Sequence, residues 1–194
     1  MLKVTRNDLM PLEHYSAQRD AIRARVMQHK LARRIAIGPH ATLYFEDFTT
    51  IQYQIQEMLR AERIFEAKEI DNEIAAYNPL VPDGHNWKAT FMLEYEDVAQ
   101  RRAALAGLIG IEQNVWVQVI GLPRVMAIAD EDLDRNTEEK TSAVHFLRFE
   151  LSPAMIAAAK EGAGIAMGIE HPNYHYVVSA VSDAQRAALV RDLD

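Results

Sequence analysis

Residues 87–95 alternate between an apolar or aromatic face and a mostly polar face, and this pattern restricts the fold more than any other in the chain. Every odd-numbered position is apolar or aromatic: Trp87, Ala89, Phe91, Leu93 and Tyr95. A period of two over so many residues is typical of a β-strand that turns one face to a core. We therefore expect a sheet with one buried face along this strand.

The rest of the chain predicts further strands, hairpins and helices. Segments 114–120 and 124–130 flank Gly-Leu-Pro, and segments 164–170 and 174–181 flank His-Pro-Asn-Tyr, so each pair predicts an antiparallel hairpin. Strands are also expected at 41–47 and 142–151. Helices are expected at 16–34, 49–68 and 96–109, and after the caps Ser152 and Ser182. No glycine-rich phosphate loop follows a strand. The prediction is an α+β fold with a mostly antiparallel sheet, covered on one side by several helices.

Length and charge suggest one domain over 1–194, in which residues 1–38 form a basic N-terminal helical segment. Residues 1–34 contain eight Lys or Arg and three Asp or Glu, a net +5, which leaves −12 for the remainder of a chain of net charge −7. Basic side chains recur at helical spacing at Arg19, Arg23, Lys30 and Arg33. We expect this stripe to pack on the acidic remainder or on a second subunit, and not on nucleic acid.

Composition excludes several classes of protein. The 194 residues contain no cysteine, which removes disulfides, thiolate nucleophiles and cysteine-ligated metal centres. Only His, Asp and Glu remain as metal ligands. There is no run of eighteen apolar residues and no signal-peptide pattern at the N-terminus, so we expect a cytoplasmic protein without a membrane span.

The predicted helix 49–68 places a carboxylate among its apolar residues. Glu62 falls in the middle of the stripe formed by Ile51, Ile55, Met58 and Phe65. A carboxylate directed at a core needs a partner, so Glu62 is expected to be partly buried, in a site or in a structural ion pair. Arg60, which lies away from this stripe, is a second candidate for ligand binding, although it could simply be solvated on the far face of the helix.

Two other regions supply the remaining candidates. The proline-rich loop 78–84 precedes His85 and Lys88, and polar side chains on a rigid loop are typical of a small-molecule site, although the prolines could equally serve only to fix a long connection. On strand 142–151, His145 shares a face with apolar residues and is expected to be buried. We consider a buried Glu62–His145 pair, with Lys88, Thr90 and Arg148 as the other candidate partners of Glu62.

A metal site has weak support from the sequence. His171 and His175 lie across a predicted turn and, with an acid such as Glu170, offer ligands for a divalent ion. Their spacing matches no established metal motif. The cofactor therefore stays open, and so does the question of whether the chain is an enzyme.

Several phrases of the sequence together resemble one bacterial family. They are IAIGPHATLYFED, YQIQEMLRAERI, YNPLVPDGHNWKATFMLEY, VWVQV, AIADEDL and EEKTSAVHFLRFEL. The resemblance is to a family catalogued as domain of unknown function 3501, and it extends from about Thr5 to Tyr176. It implies no catalytic residue. It does imply gene neighbours that encode rubrerythrin-like and iron–sulfur oxidoreductase proteins, and hence a role in redox metabolism or oxidative stress.

Two functions follow as hypotheses. The first is a cytoplasmic accessory or binding protein for such a redox system, with a homo-oligomer left open. The alternative is an enzyme or sensor that binds a small anionic or metal-bound ligand between the long helix and the sheet, anchored by Glu62, Lys88 and His145. In both, one core is expected to join Phe91, Leu147 and Phe149 on the sheet to Ile51 and Ile55 on the helix.

Overall fold

A computed structural model describes residues 3–133, 135–137 and 139–194. Within these ranges the chain forms six α-helices and nine β-strands. The helices are α1 (Leu12–Leu31), α2 (Phe48–Ala61), α3 (Ala67–Tyr77), α4 (Val98–Gly107), α5 (Pro153–Lys160) and α6 (Asp183–Val190). The strands are β1 (Arg34–Ile37), β2 (Ala41–Phe45), β3 (Asn86–Leu93), β4 (Val115–Val119), β5 (Val125–Met126), β6 (Ile128–Ala129), β7 (Val144–Glu150), β8 (Ile165–His171) and β9 (Tyr174–Val178).

The strands form two antiparallel sheets, which confirms the α+β prediction but replaces one sheet with two. The first sheet has the order β1-β2-β3-β7-β6, and the second has the order β5-β4-β8-β9. Only Ala127 separates β5 from β6, so the chain passes from the second sheet to the first within one residue. Both predicted hairpins are present, as β4–β5 and β8–β9.

The inner faces of the two sheets enclose the main core. Trp87, Phe91 and Phe149 of the first sheet and Val117 of the second are fully buried in one cluster, as the alternation of β3 predicts. A second cluster lies on the outer face of the first sheet, where α2 and α3 bury Ile51, Ile55, Leu59, Ile74 and Val81 together with Val4. The prediction of a single core shared by the helix and the sheet was therefore wrong, because the first sheet is covered on both faces.

The predicted helix 49–68 ends at Ala61, and α3 begins at Ala67. Arg63 adopts a positive φ of 57°, and the backbone N–H of Ile64 donates to the Leu59 carbonyl at 2.8 Å. This bond closes a Schellman motif, whose left-handed position is usually a glycine. Phe65 follows the break and is 73% exposed, so its predicted place in the core was wrong.

Three further boundaries differ from those predicted. α2 is capped by Asp47, whose side chain accepts from the Thr50 N–H, and not by Thr49 with Gln52. α1 begins directly after Pro11 and not at Ser16. Residues 34–37 form β1, which pairs with β2 across a turn that needs a positive φ of 75° at Gly38. The caps at Ser152 and Ser182 are confirmed.

The basic stripe of α1 packs against the acidic remainder of the chain, as predicted, at two of its members. Arg19 forms a two-pronged ion pair with Glu57 of α2, with donor–acceptor distances of 2.8 and 2.7 Å. The buried Arg33, just after α1, pairs with Asp47 and Asp192. Among the described residues, no helix is both long enough and apolar enough to span a membrane.

Candidate functional site

A cavity of about 540 Å³ opens on the outer face of the first sheet. Lys88 on β3 and Arg148 on β7 are directly paired in the register, as are Thr90 and Phe146. Cross-strand partners point to the same side of a sheet, so these side chains share the outer face. The cavity is lined by four parts of the chain: α3 with the turn that follows it, β3, the loop after β6, and β7. The lining residues are Ala76, Tyr77, Pro79, Leu80, Lys88, Glu131, Asp132, Phe146, Leu147 and Arg148.

One wall of the cavity is rigid. The 3₁₀ turn Asn78–Leu80 contains a proline, and the Asn78 side chain both accepts from the Val4 N–H and donates to the Val4 carbonyl, each at 2.9 Å. These two bonds fasten the turn to the N-terminal segment. Proline and paired hydrogen bonds both reduce the freedom of the wall, which favours a preformed pocket.

Lys88 presents the least satisfied cation at this cavity. Its Nζ donates to the carbonyl oxygens of Pro79 at 2.6 Å and Val81 at 3.2 Å. Within the part of the chain that the structure describes, no carboxylate lies within 4.0 Å of this nitrogen. Burial, reinforced by the nearby Lys3 ammonium, lowers the pKa of Lys88 below its usual range. Lysines with such surroundings are common in binding and catalytic sites.

Arg148, unlike Lys88, is paired with carboxylates. Its Nε and Nη2 each donate to a different carboxylate oxygen of Glu131 at 2.8 Å, and Nη1 donates to Glu150. These hydrogen bonds raise the pKa of the Arg148 guanidinium further above its usual range. With its donors engaged, Arg148 holds the loop that carries Glu131 against the sheet and has little left to offer a ligand.

The rim of the cavity is acidic. Asp132 accepts two hydrogen bonds of 2.7 Å from Arg135, which lower the pKa of this carboxyl to about 2. Asp132 is therefore ionised at neutral pH. Together with Glu131, it places two carboxylates at one edge of a cavity whose floor carries two cations.

His145 lies beneath the same loop, on the inner face of the sheet. It is fully buried, as the sequence predicts, and its Nδ1 is 2.6 Å from an oxygen of Asp130. Its Nε2 lies 2.9 Å from the Thr141 hydroxyl and 3.1 Å from the Ser142 carbonyl. Nδ1 faces a carboxylate oxygen, which only accepts, whereas Nε2 meets both a hydroxyl that can donate or accept and a carbonyl that only accepts.

Two buried carboxylates lie close to His145. Glu112 has one carboxylate oxygen 4.0 Å from Nε2, and Asp130 pairs with Arg135 at 3.0 Å. Asp130 thus has a cationic partner as well as hydrogen bonds, which is how a buried charge is tolerated. The Asp130 side chain also accepts from the Phe146 N–H at 3.0 Å, so the cluster fixes the start of the loop that forms the acidic rim. Its role is to position the cavity.

The predicted anchors do not come together. Glu62 is the exposed C-cap of α2, and Arg60 is exposed one turn before the break. The expected burial of Glu62 and the Glu62–His145 pair were both wrong, because the helix ends before the apolar stripe continues. Glu62, Lys88 and His145 therefore do not anchor one common ligand. Lys88 and Arg148 do share one site.

The other predicted candidates have separate surroundings. Thr90 is buried and donates to Glu46 at 2.7 Å, and not to Glu62. His85 is exposed and lines a smaller cavity of about 300 Å³ near α5. His171 is buried, with Nε2 3.2 Å from the Ile109 carbonyl, whereas His175 is exposed. Among the described residues, no three His, Asp or Glu side chains converge as metal ligands.

Sequence reasoning missed several carboxylates that are bound on the first sheet and in the loop after β6. Glu46 is buried and accepts hydrogen bonds from the hydroxyls of Thr50 and Thr90 at 2.6 and 2.7 Å. The alternation of β2 does place Glu46 on the outer face of the sheet, but that face was expected to be solvated. The loop after β6 also carries a signal in its acidic composition, but no periodicity there indicates which carboxylate meets which cation.

A second cavity, of about 430 Å³, lies between α1 and α2. Its polar groups largely satisfy one another. His29 Nε2 lies 2.6 Å from Asp47, and the Gln56 side chain exchanges two hydrogen bonds with the backbone of Met10. Arg25 is a further cation in its lining, so this cavity is the alternative location for an anionic ligand.

Comparison with known proteins identifies relatives without a described activity. A family model described as Protein of unknown function (DUF3501) matches residues 3–193. A crystal structure of a novel protein of unknown function from Burkholderia pseudomallei K96243 superimposes with a TM-score of 0.95 at 52% sequence identity, covering 100% of both chains. No curated protein matches the chain.

Proposed function

Because the chain belongs to the DUF3501 family of proteins of unknown function, its geometry is the guide to its role, and we propose that it is a small-molecule-binding protein. The proposed ligand site is the cavity at Lys88. The observation that carries the proposal is a half-buried lysine whose nitrogen has two carbonyl partners and a further position open at a preformed cavity.

The cavity has the size and lining of a ligand site. Its volume of about 540 Å³ falls within the range of about 300–1,000 Å³ that small-molecule pockets occupy. Tyr77, Leu80 and Phe146 supply apolar and aromatic surface, and Lys88 supplies the convergent donor. This division fits an amphipathic molecule that has an apolar body and an oxygen-bearing head group at Lys88.

The hydrogen bonds that Lys88 and Arg148 already make indicate the charge of the ligand's head group. Arg148 is already bound by two carboxylates, whereas the ammonium form of Lys88 has one N–H that donates to no group among the described residues. An anionic head group would occupy that position. The carboxylates at the rim disfavour a second negative charge nearby, so the ligand is a monoanion or a neutral molecule with one acceptor.

The accessory role beside rubrerythrin-like or iron–sulfur oxidoreductase proteins is a separate, weaker proposal. It rests on the family resemblance, and no contact in the described residues adds to it. Co-purification of the full-length protein from native cells tests it: recovery of such an oxidoreductase supports the association, and its consistent absence contradicts it.

The binding proposal is tested with 8-anilinonaphthalene-1-sulfonate, a fluorescent probe with an aromatic body and one sulfonate. We expect saturable binding of one molecule per chain. Lys88→Met should weaken binding about tenfold or more, since a hydrogen bond to a charged group contributes about 1.5–3 kcal/mol. Lys68→Met is the matched control, because Lys68 is exposed on α3 outside the cavity.

A second variant separates the cavity from nonspecific adsorption. Phe146→Leu retains an apolar side chain but removes the aromatic surface that faces the probe, and it should also weaken binding. Equal affinity in Lys88→Met, Phe146→Leu and the wild type would place the probe elsewhere and contradict the proposed site.

A further inference from the structure

The nitrogen of Lys88 lies at the cavity without a carboxylate partner. Nζ donates to the carbonyl oxygens of Pro79 and Val81, and the side chain lines the cavity. Among the described residues no carboxylate pairs with this nitrogen, so no direct counter-ion holds the ammonium form. Loss of a proton leaves Nζ with a lone pair that can attack a ligand.

The charges around Lys88 favour loss of its proton. Lys3 Nζ donates to the same Val81 carbonyl at 2.7 Å, so the two lysine nitrogens share one acceptor. Arg148 is the cross-strand neighbour of Lys88. Asp83 and Glu131 oppose these two cations, but burial is the largest influence and lowers the pKa of Lys88. A desolvated lysine beside another cation is a recurrent form of activated amine nucleophile.

We propose that Lys88 is a reactive amine that condenses with the carbonyl group of a small aldehyde or ketone held in this cavity. The inference rests on the proposed function and names the head group of the ligand. A carbonyl ligand meets the neutral amine, whereas an anionic probe meets the ammonium form of the same residue.

The condensation balances without any further reactant. The lone pair of Nζ attacks the carbonyl carbon and forms a C–N bond, while the carbonyl oxygen takes up a proton to give a carbinolamine. The hydroxyl then leaves as water, and nitrogen loses its remaining proton as the C=N bond forms. One carbonyl compound and one amine give one imine and one water, with no change of oxidation state. Protons exchange with solvent, because Lys88 is only half-buried.

The surroundings suit an aromatic or branched carbonyl compound. Phe146, Leu80 and Tyr77 offer apolar surface beside the amine. Glu131 is bound to Arg148, and Asp132 is bound to Arg135, so neither competes with the carbonyl group for Nζ. The other lysines lack this combination. Lys68, Lys140 and Lys160 are exposed to solvent, and neither the half-buried Lys30 nor Lys3, whose pKa burial also lowers, lines the cavity.

Reductive trapping tests the inference directly. The full-length protein is incubated with 2-naphthaldehyde and sodium cyanoborohydride near neutral pH, and each modified lysine is located by peptide mass spectrometry. We expect Lys88 to be labelled several-fold faster than Lys160, since burial lowers the pKa of Lys88 and so increases its neutral, nucleophilic fraction. Lys88→Arg should abolish that adduct and leave labelling of Lys160 unchanged.

The outcomes separate this inference from the binding proposal. If 8-anilinonaphthalene-1-sulfonate binds in a Lys88-dependent way and slows labelling of Lys88 only, both are supported. If the probe binds at Lys88 but the wild-type protein is labelled no faster there than at Lys160, the reactive amine is refuted and the binding site stands. If the probe does not bind and Lys88 is not selectively labelled, both fail. The wild-type peptide map decides the labelling question even if Lys88→Arg does not fold.

Discussion

Lys88 and Arg148 are neighbours in the sheet register, yet their environments give them different roles. The guanidinium of Arg148 is held by Glu131 and Glu150, so it fixes one wall of the cavity. Within the described ranges, the Lys88 nitrogen is held by two carbonyl oxygens alone, so it retains capacity for a ligand. The planar fork of arginine suits two carboxylates, whereas a lysine nitrogen is a compact group whose proton is more easily lost.

Buried carboxylates give a sharp test at the scale of single residues. Glu46→Gln replaces an acceptor of two hydroxyl hydrogen bonds by an amide, and should lower the free energy of unfolding by about 1–3 kcal/mol. Glu62→Gln is the matched control at an exposed helix end, and should change it by less than about 0.5 kcal/mol. Urea denaturation measures both variants. A larger loss of unfolding free energy for Glu62→Gln than for Glu46→Gln would contradict the assignment of Glu46 as buried and Glu62 as exposed.

Among the secondary-structure elements, α1 and α2 are joined by charge as well as by packing. Arg19 and the Tyr15 hydroxyl both donate to Glu57, and they lower the pKa of the Glu57 carboxyl from its ordinary 4.5 to about 2, with Arg19 as the main cause. Because the folded-state pKa is the lower one, this contribution to stability is complete above about pH 5 and is lost as the pH falls from 4.5 toward 2.

The α1–α2 ion pair predicts a pH-dependent deficit. Glu57→Gln should lower the Tm by about 2–4 °C near pH 6, if the pair contributes about 1 kcal/mol. The deficit should shrink near pH 3, because Glu57 takes up a proton in the unfolded state below about pH 4.5 while it stays largely ionised in the folded state, which reduces the stability that the pair contributes. Glu69→Gln, at an exposed site on α3, serves as the control. A deficit of the same size at both pH values would mean that the charge of Glu57 is not responsible.

Elements were predictable where the local pattern and the tertiary environment agree. The alternation of β3 and the caps at Ser152 and Ser182 act within a few residues, and each was predicted correctly. The break after Ala61 was not predicted. Arg63 occupies the left-handed position there, so the sequence has no glycine to indicate the end of the helix. β1 was hidden because Arg34–Ile37 is too short to show a period of its own.

At the scale of the whole molecule, the first sheet connects two apolar clusters. Phe91 lies in the cluster between the sheets, and Ile55 lies in the cluster beneath α2 and α3. Strand residues 42–46 and 86–92 lie between the two clusters. We therefore expect that loss of either cluster unfolds the whole chain as one unit. The single-domain prediction for 1–194 depends on this shared sheet.

Calorimetry of core variants tests that coupling. Phe91→Ala should cost about 3–5 kcal/mol and Ile55→Ala about 2–5 kcal/mol, and each should shift one common transition whose calorimetric and van't Hoff enthalpies agree. Val177→Ala, at a half-exposed position of β9, should have little effect. Two separate transitions, with Ile55→Ala moving only one of them, would show that the helical layer unfolds independently.

The site itself was only partly accessible from the sequence. Lys88 and Arg148 were among the predicted candidates, because strand alternation gives each of them a face. Their different partners come from the loop after β6, whose carboxylates are matched to cations only by the tertiary fold. His145 was correctly expected to be buried, but its partner Asp130 lies at a positive φ of 50° that no local pattern indicated.

The most direct measurement of the central claim is ¹H–¹⁵N chemical-shift mapping during titration with 8-anilinonaphthalene-1-sulfonate. The cavity at Lys88 predicts that the largest shifts occur at the amides of Tyr77, Leu80, Lys88, Asp132 and Phe146. They should saturate together and disappear in Lys88→Met. The largest shifts at Tyr15, Tyr53 and Gln56 would instead place the ligand between α1 and α2 and contradict the claim.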